Sequence, residues 1–207
     1  MRSTEACAVR SRRRALAGLL ALPGLLAAAM PVAAANFDLA ALMALLAQRK
    51  SGEARFTEER TVSGFDSPLR ASGRLSFTAP DRFARHTLEP RPESMEVAGN
   101  QVLLKRGGRS RQLALDAIPE MAALVEAVRG TLSGNANLLN RHFRTQVSGH
   151  AGLWTLNLVP LDGQLAAVVR QITIAGAGPD LRSVDIQMGQ GDRSLMLIEP
   201  LAAKSAS

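Results

Sequence analysis

Glu58, Glu59 and Arg60 stand side by side in a run that alternates like a β-strand, and paired carboxylates are the groups that acid-base cleavage of a glycosidic bond requires. Adjacent strand residues point to opposite faces, so Glu58 and Glu59 cannot flank one bond, and the run reads instead as salt-bridged or solvated sheet positions. His86, His142 and His150 are scattered without metal-ligand spacing, so no metal site is expected. The chain has no G-x-S-x-G elbow, H-E-x-x-H helix, C-x-x-C pair or P-loop. Gly176-Ala177-Gly178 and Gly189-Gln190-Gly191 lack the further glycine and the helix of a dinucleotide fingerprint, and read as turns. No catalysis and no cofactor are expected. The remaining cluster is Lys105, Arg106, Arg109 and Arg111 around Gly107-Gly108. It is either a charged hairpin tip that keeps a sheet edge soluble, or a docking patch steered toward an acidic partner protein or an anionic membrane.

The first residues follow another logic. Arg10, Arg12, Arg13 and Arg14 precede an apolar run from Ala15 to Ala29 that is broken by Gly18, Pro23 and Gly24, and Ala33-Ala34-Ala35 follows. This is the layout of a cleaved secretory signal over residues 1–35, by the general or the twin-arginine route, and it places the mature protein in the periplasm. Cleavage removes five of the 25 basic and one of the 18 acidic residues, leaving 20 against 17. That balance gives no support to a nucleic-acid partner. Cys7, the single cysteine, leaves with the leader, so neither a disulfide nor N-terminal lipidation is expected in the mature chain.

What positions the mature residues is a pattern of short strands. Asn36 or Asp38 caps a first helix with apolar positions Leu39, Leu42, Met43 and Leu46. The period then changes to alternation over 56–62 and 71–78, with a turn at 65–68 and a corner at Pro80-Asp81 leading to a strand over 82–88. Pro90 and Pro92 mark an edge or loop. Met95 with Val97, Val102 with Leu104, and Leu113 with Leu115 continue the apolar face across the Gly107-Gly108 hairpin. Asp116 is expected to cap a central helix with Pro119 in its first turn and Met121, Leu124, Val125, Val128 and Leu132 on one stripe, loosened at its end by Gly130 and Gly134. A second short helix, 136–143, presents Leu139 and Phe143. Strands return with Trp154, Leu156 and Leu158, then Ile172 and Ile174, then Val184, Ile186 and Met188, then Leu195 and Leu197.

The chain therefore predicts an α+β fold in which nine or ten antiparallel strands form a curved sheet, an unclosed β-barrel, with an N-terminal helix and a central helical lid over its apolar face. Residues 36–200 make one domain and 201–207 a disordered tail. Two or three short helices are too few to fill so large a face, and its side chains are flexible Leu, Ile, Val and Met with few aromatics. The candidate lipid-binding cavity comprises Leu75, Phe77, Phe83, Met95, Val97, Val102, Leu104, Leu113, Met121, Leu124, Val125, Val128, Leu139, Phe143, Trp154, Leu156, Ile172 and Ile186.

Read in order, Phe56-Thr57-Glu58-Glu59-Arg60, Gly73-Arg74-Leu75-Ser76-Phe77, Pro80-Asp81-Arg82-Phe83, Pro90, Met95-Glu96-Val97, Leu132-Ser133-Gly134-Asn135, Trp154 to Pro160 and Gly191-Asp192 resemble the periplasmic outer-membrane lipoprotein carriers, LolA. The resemblance covers nearly the whole mature chain. It implies an unclosed barrel whose interior takes acyl chains of a lipoprotein from an inner-membrane transporter and passes them to an outer-membrane receptor. Two departures from that pattern stand out: Ala79 takes the place where the better-known carriers have a lid-latching arginine before the proline, and aromatics are sparser, with Phe77, Phe83, Phe143 and Trp154 for the cavity. A divergent branch, monomeric and carrying a lipoprotein, another acylated lipid or a polyene lipid, is the resulting expectation. A periplasmic lipid-binding sensor is the alternative, although such sensors usually add a second domain. A lipid esterase is disfavoured for want of a nucleophile motif.

Overall fold

The computed structural model describes residues 37–202. The expected signal peptide and the tail beyond Ala202 lie outside them. Asp38 caps helix α1 (Leu39–Leu46), its side chain accepting from the Ala41 amide, and Leu42, Met43 and Leu46 form the buried stripe. Six strands follow as a meander: β1 (Ser51–Thr61), β2 (Leu69–Thr78), β3 (Arg82–Glu89), β4 (Glu93–Ala98), β5 (Gln101–Arg106) and β6 (Arg109–Ala114). Positive φ at both Gly107 and Gly108 makes the two-residue β5–β6 turn that the sequence pattern demands.

The helical segment comes next, as α2 (Pro119–Ser133) and α3 (Ala136–His142). Asp116 does not cap α2: it sits in a 3-10 turn, Leu115–Ala117, and Ile118 occupies the cap position with Pro119 at the helix start. Nor does Gly130 loosen the helix. It is buried against the Leu139 side chain, where a β-carbon would collide, so it allows α2 and α3 to pack closely. Gly134 does end α2, in the left-handed conformation. A β-carbon there would run into the Met43 carbonyl and Ala47, so the lid's end is seated on α1.

A second meander closes the chain: β7 (Phe143–His150), β8 (Leu153–Pro160), β9 (Val169–Ala177), β10 (Asp180–Met188) and β11 (Arg193–Pro200), with α4 (Gly163–Val168) between β8 and β9. Strand β7 and helix α4 are additions to the expected elements, and Phe143 opens a strand rather than ending a helix. The segment Phe143–His150 hides its alternation because only Phe143 and Val147 mark the apolar face.

All eleven strands form one antiparallel sheet in the order β6-β5-β4-β3-β2-β1-β11-β10-β9-β8-β7. The first and last strands thus pair at its centre, Phe56 opposite Ile198, and its two open edges are β6 and β7. The segment 115–142 is the connection between those edges. Helix α2 packs on both halves of one face, contributing Ala123, Ala127 and Leu124 to one apolar cluster and Met121, Ala122 and Val125 to the other. This is an unclosed barrel with a helical lid.

Candidate functional site

Register defines the inward face. Phe56 lies opposite Gly73 and Ile198, Leu75 beside Arg85, Phe77 beside Phe83, Phe83 beside Val97, and Val97 beside Val102. On the other side of the seam Val184 faces Ile174, and Leu156 faces Ile174 across β8 and β9. Every strand residue proposed for lipid binding has inward parity, and the remaining four proposed side chains on α2 and one on α3 belong to the lid.

The structure sorts these residues into three groups. Leu139, Phe143, Trp154, Leu156 and Ile172 are buried in one cluster under α1, α2, α3 and α4, with Leu124 and Ile186 packed on it. There Trp154 Nε1 donates to the Gly178 carbonyl at 2.9 Å. Val97, Val102 and Val125 are buried in the second cluster, with Phe83, Met95, Leu104 and Met121 around it. Leu75, Phe77, Leu113 and Val128 belong to neither. Val128, on the lid, is 38% exposed. Between the clusters lies a strip of the face carried by β11, β1 and β2, where Leu75 and Met196 are half-buried.

That strip holds a polar centre that the sequence reading missed. Glu58 is 5% exposed although its neighbours along the inward row are Ala54 and Phe56. Ser194 Oγ donates to its Oε1 at 2.5 Å and Arg85 Nη2 to its Oε2 at 2.5 Å, while Arg60 Nη2 lies 3.6 Å from Oε1. The Arg85 guanidinium also sits 4.6 Å over the Phe56 ring, a cation-π contact, and its Nε reaches Thr87 Oγ1 at 3.4 Å. Gly73 makes room for this stack, since a β-carbon there would strike the Phe56 ring and the His86 carbonyl. Burial by itself raises the Glu58 carboxyl above its ordinary value, but hydrogen bonds from Arg85 and Ser194 and the charges of Arg85 and Arg60 outweigh it, and the net shift is downward. A carboxylate held this way is a weak base. As the strand parity predicts, Glu59 points away and pairs with Arg70 on the outer side at 2.9 Å. The signal for Glu58 was present: it has the same parity as Phe56.

The lid is tied to the sheet by an arginine of its own. Arg129 on α2 donates to the Gly99 carbonyl in the β4–β5 turn, and the Gly99 amide donates to Asp81 Oδ2 at 3.1 Å. On the other flank His142 Nε2 lies 2.9 Å from Glu126 Oε2, joining α3 to α2. The basic hairpin residues divide: Lys105 pairs with Glu96 at 3.2 Å and Arg106 with Glu93 at 3.0 Å, while Arg109 and Arg111 are exposed on edge strand β6. The outer face of the central strands carries two open clefts, of about 260 and about 650 Å³, which share Thr57, Ser72 and Leu197. None of the proposed lipid-binding residues lines either cleft. Among the described residues no helix is long and apolar enough to cross a membrane, and no cluster of metal-ligating residues occurs.

Comparison with known proteins adds the family. Solved structures similar to the chain include a LolA superfamily protein from Nitrosomonas europaea (7% identity, TM-score 0.44, covering 82% of this chain and 95% of that one). A DUF1329 family protein from Desulfovibrio piger gives 8% identity, a TM-score of 0.49 and coverage of 82% and 92%. The MucA/MucB complex of Pseudomonas aeruginosa gives 14% identity, a TM-score of 0.44 and coverage of 81% and 58%. No curated protein matches the sequence. The family model for outer membrane lipoprotein carrier protein LolA-like sequences matches residues 29–207, nearly all of the chain. This protein belongs to the LolA-like outer membrane lipoprotein carrier family.

Proposed function

We propose that the protein is a periplasmic, non-catalytic carrier that holds the acyl chains of a lipoprotein or related lipid between its inward sheet face and α2, and ferries them from the inner to the outer membrane. The observation that carries this reading is the divided core. Helix α2 contributes to two apolar clusters, and the strip of the inward face between them leaves Leu75 and Met196 half-buried, while Val128 on the lid is 38% exposed. Acyl chains gain about 0.8 kcal/mol per methylene removed from water, so a strip of this kind is a favourable bed for them. Release then requires a lid whose open and closed states differ by only a few kcal/mol, so that a partner's binding decides between them. An inner-membrane transporter as donor and an outer-membrane receptor as acceptor are the partners this role calls for. Arg109 and Arg111, on the exposed hairpin, are the docking residues proposed for them, alongside Lys105 and Arg106.

The test is uptake. Protein taken from the periplasm should carry acyl cargo detectable by native mass spectrometry, and stripped protein should bind a fluorescent fatty acid. Leu75→Glu and Met121→Glu should each cut that binding at least tenfold while the circular dichroism spectrum is retained. Unchanged binding in both variants would refute the site.

A further inference from the structure

Resting on the carrier reading, we propose that Arg85 and Arg60, with Glu58 between them, form a headgroup site that selects amphiphiles with an anionic end, a carboxylate or a phosphate. A buried ion pair is a poor device for stability: well-packed apolar residues of similar volume serve a core as well or better. Every strand position around Glu58 on this face could have been apolar, as Ala54, Phe56, Ile198 and Leu75 are. The charge balance is also uneven. One carboxylate faces two guanidiniums, which leaves a net positive charge inside the apolar strip. Arg85 commits Nη2 to Glu58 and Nε to Thr87, and a guanidinium has five N–H donors, so donors remain for a ligand.

Position gives the site its meaning. Along β1 the inward row runs Ala54, Phe56, Glu58, Arg60, from fully covered apolar side chains through a covered carboxylate to an arginine side chain that is 49% exposed. Leu69, opposite Arg60 in β2, is 47% exposed. The row therefore passes from apolar depth to a charged rim within four alternate residues, which is the polarity profile of an amphiphile with its tail inward. Charge-assisted hydrogen bonds to carboxylate or phosphate are the strong ones, and a fork of two arginines suits either anion. Glu58 acts as the stand-in anion that keeps the guanidiniums ordered before cargo arrives, and it competes with the incoming headgroup.

The experiment compares probes with the same palmitoyl chain: palmitic acid, palmitoyl lysophosphatidic acid and neutral monopalmitoylglycerol, each displacing a fluorescent acyl reporter from the full-length protein. The expected result is about tenfold tighter binding of at least one anionic probe than of the neutral one, in line with a charge-assisted hydrogen bond. Which anionic probe is preferred tells carboxylate from phosphate. Arg60→Gln should shrink the preference about threefold or more. Glu58→Gln should enlarge it, because the competing carboxylate is gone; a purely structural ion pair predicts loss for all three probes together. Equal binding of anionic and neutral probes, or variants that shift all probes alike, overturns the headgroup site and leaves the carrier reading standing. If none of the probes binds, the carrier reading itself falls, and this site with it.

Discussion

The two halves of the sheet are built to different standards. On the β7–β10 side, fourteen buried residues from four helices and the strands make one continuous cluster, anchored by Trp154. On the β4–β6 side the second cluster has four, Val97, Val102, Leu115 and Val125, and one helix serves it. Apolar burial is the main favourable term in folding, so the first half is the scaffold and the second is the part that can yield at modest cost. Helix α2 is shared between them: Ala123 and Ala127 hold it in the thick cluster, while Val125 is its one buried contribution to the thin one.

The comparison can be broken at several places. Trp154→Ala removes the largest fully buried side chain and its hydrogen bond to the Gly178 carbonyl, and should cost about 3–5 kcal/mol in denaturant unfolding. A cost below 1 kcal/mol would erase the distinction. Arg129→Ala releases α2 from the Gly99 carbonyl and should lose about 1.5–3 kcal/mol, typical of hydrogen bonds to a charged group. Hydrogen exchange should then accelerate in α2 and the β4–β5 turn and not in β8 or β9. Val102→Ala, in the thin cluster, should cost about 1.5 kcal/mol, well below Trp154→Ala. An acid effect is smaller again, since burial of Glu58 offsets part of what its partners contribute. The carboxyl is lowered in the folded state, so its contribution is present above the ordinary value of 4.5 and is lost as pH falls through the folded value. Glu58→Gln should flatten the stability curve below about pH 4.5. Least of all, Arg106→Ala breaks an exposed pair with Glu93 and should change stability by less than about 0.5 kcal/mol, while slowing association with an acidic partner if the hairpin docks.

Much of this arrangement was legible in the residues. The 3.6-residue stripe of Leu39, Leu42, Met43 and Leu46 and the Pro119 start with Met121, Leu124, Val125 and Val128 gave both long-range helices, because a stripe needs only local geometry to be read. Gly107-Gly108 gave the hairpin for the same reason. Strand β7 escaped because its inward positions include Thr145 and Gly149 beside Val147, so period two carries little hydrophobic contrast. The polar centre escaped for a different reason. Glu58 meets Arg85 and Ser194 only after four strands, β3, β2, β1 and β11, are laid side by side, and no local pattern encodes that meeting. What parity alone could settle, that Glu58 and Glu59 face opposite ways, it settled. The 1–35 signal, the 36–200 domain limits and the choice of cargo rest on sequence and on the proposals above.

Pairing β1 with β11 at the centre of the sheet fixes the order in which the fold can be completed. Each meander can form from neighbours in sequence, but their join waits until the final strand has been synthesised, and closing so long a loop is the slow, entropically costly step. Until β11 is in place, β1 and β10 each carry one unpaired edge at what will become the middle of the sheet, and the polar centre around Glu58 and Ser194 cannot assemble.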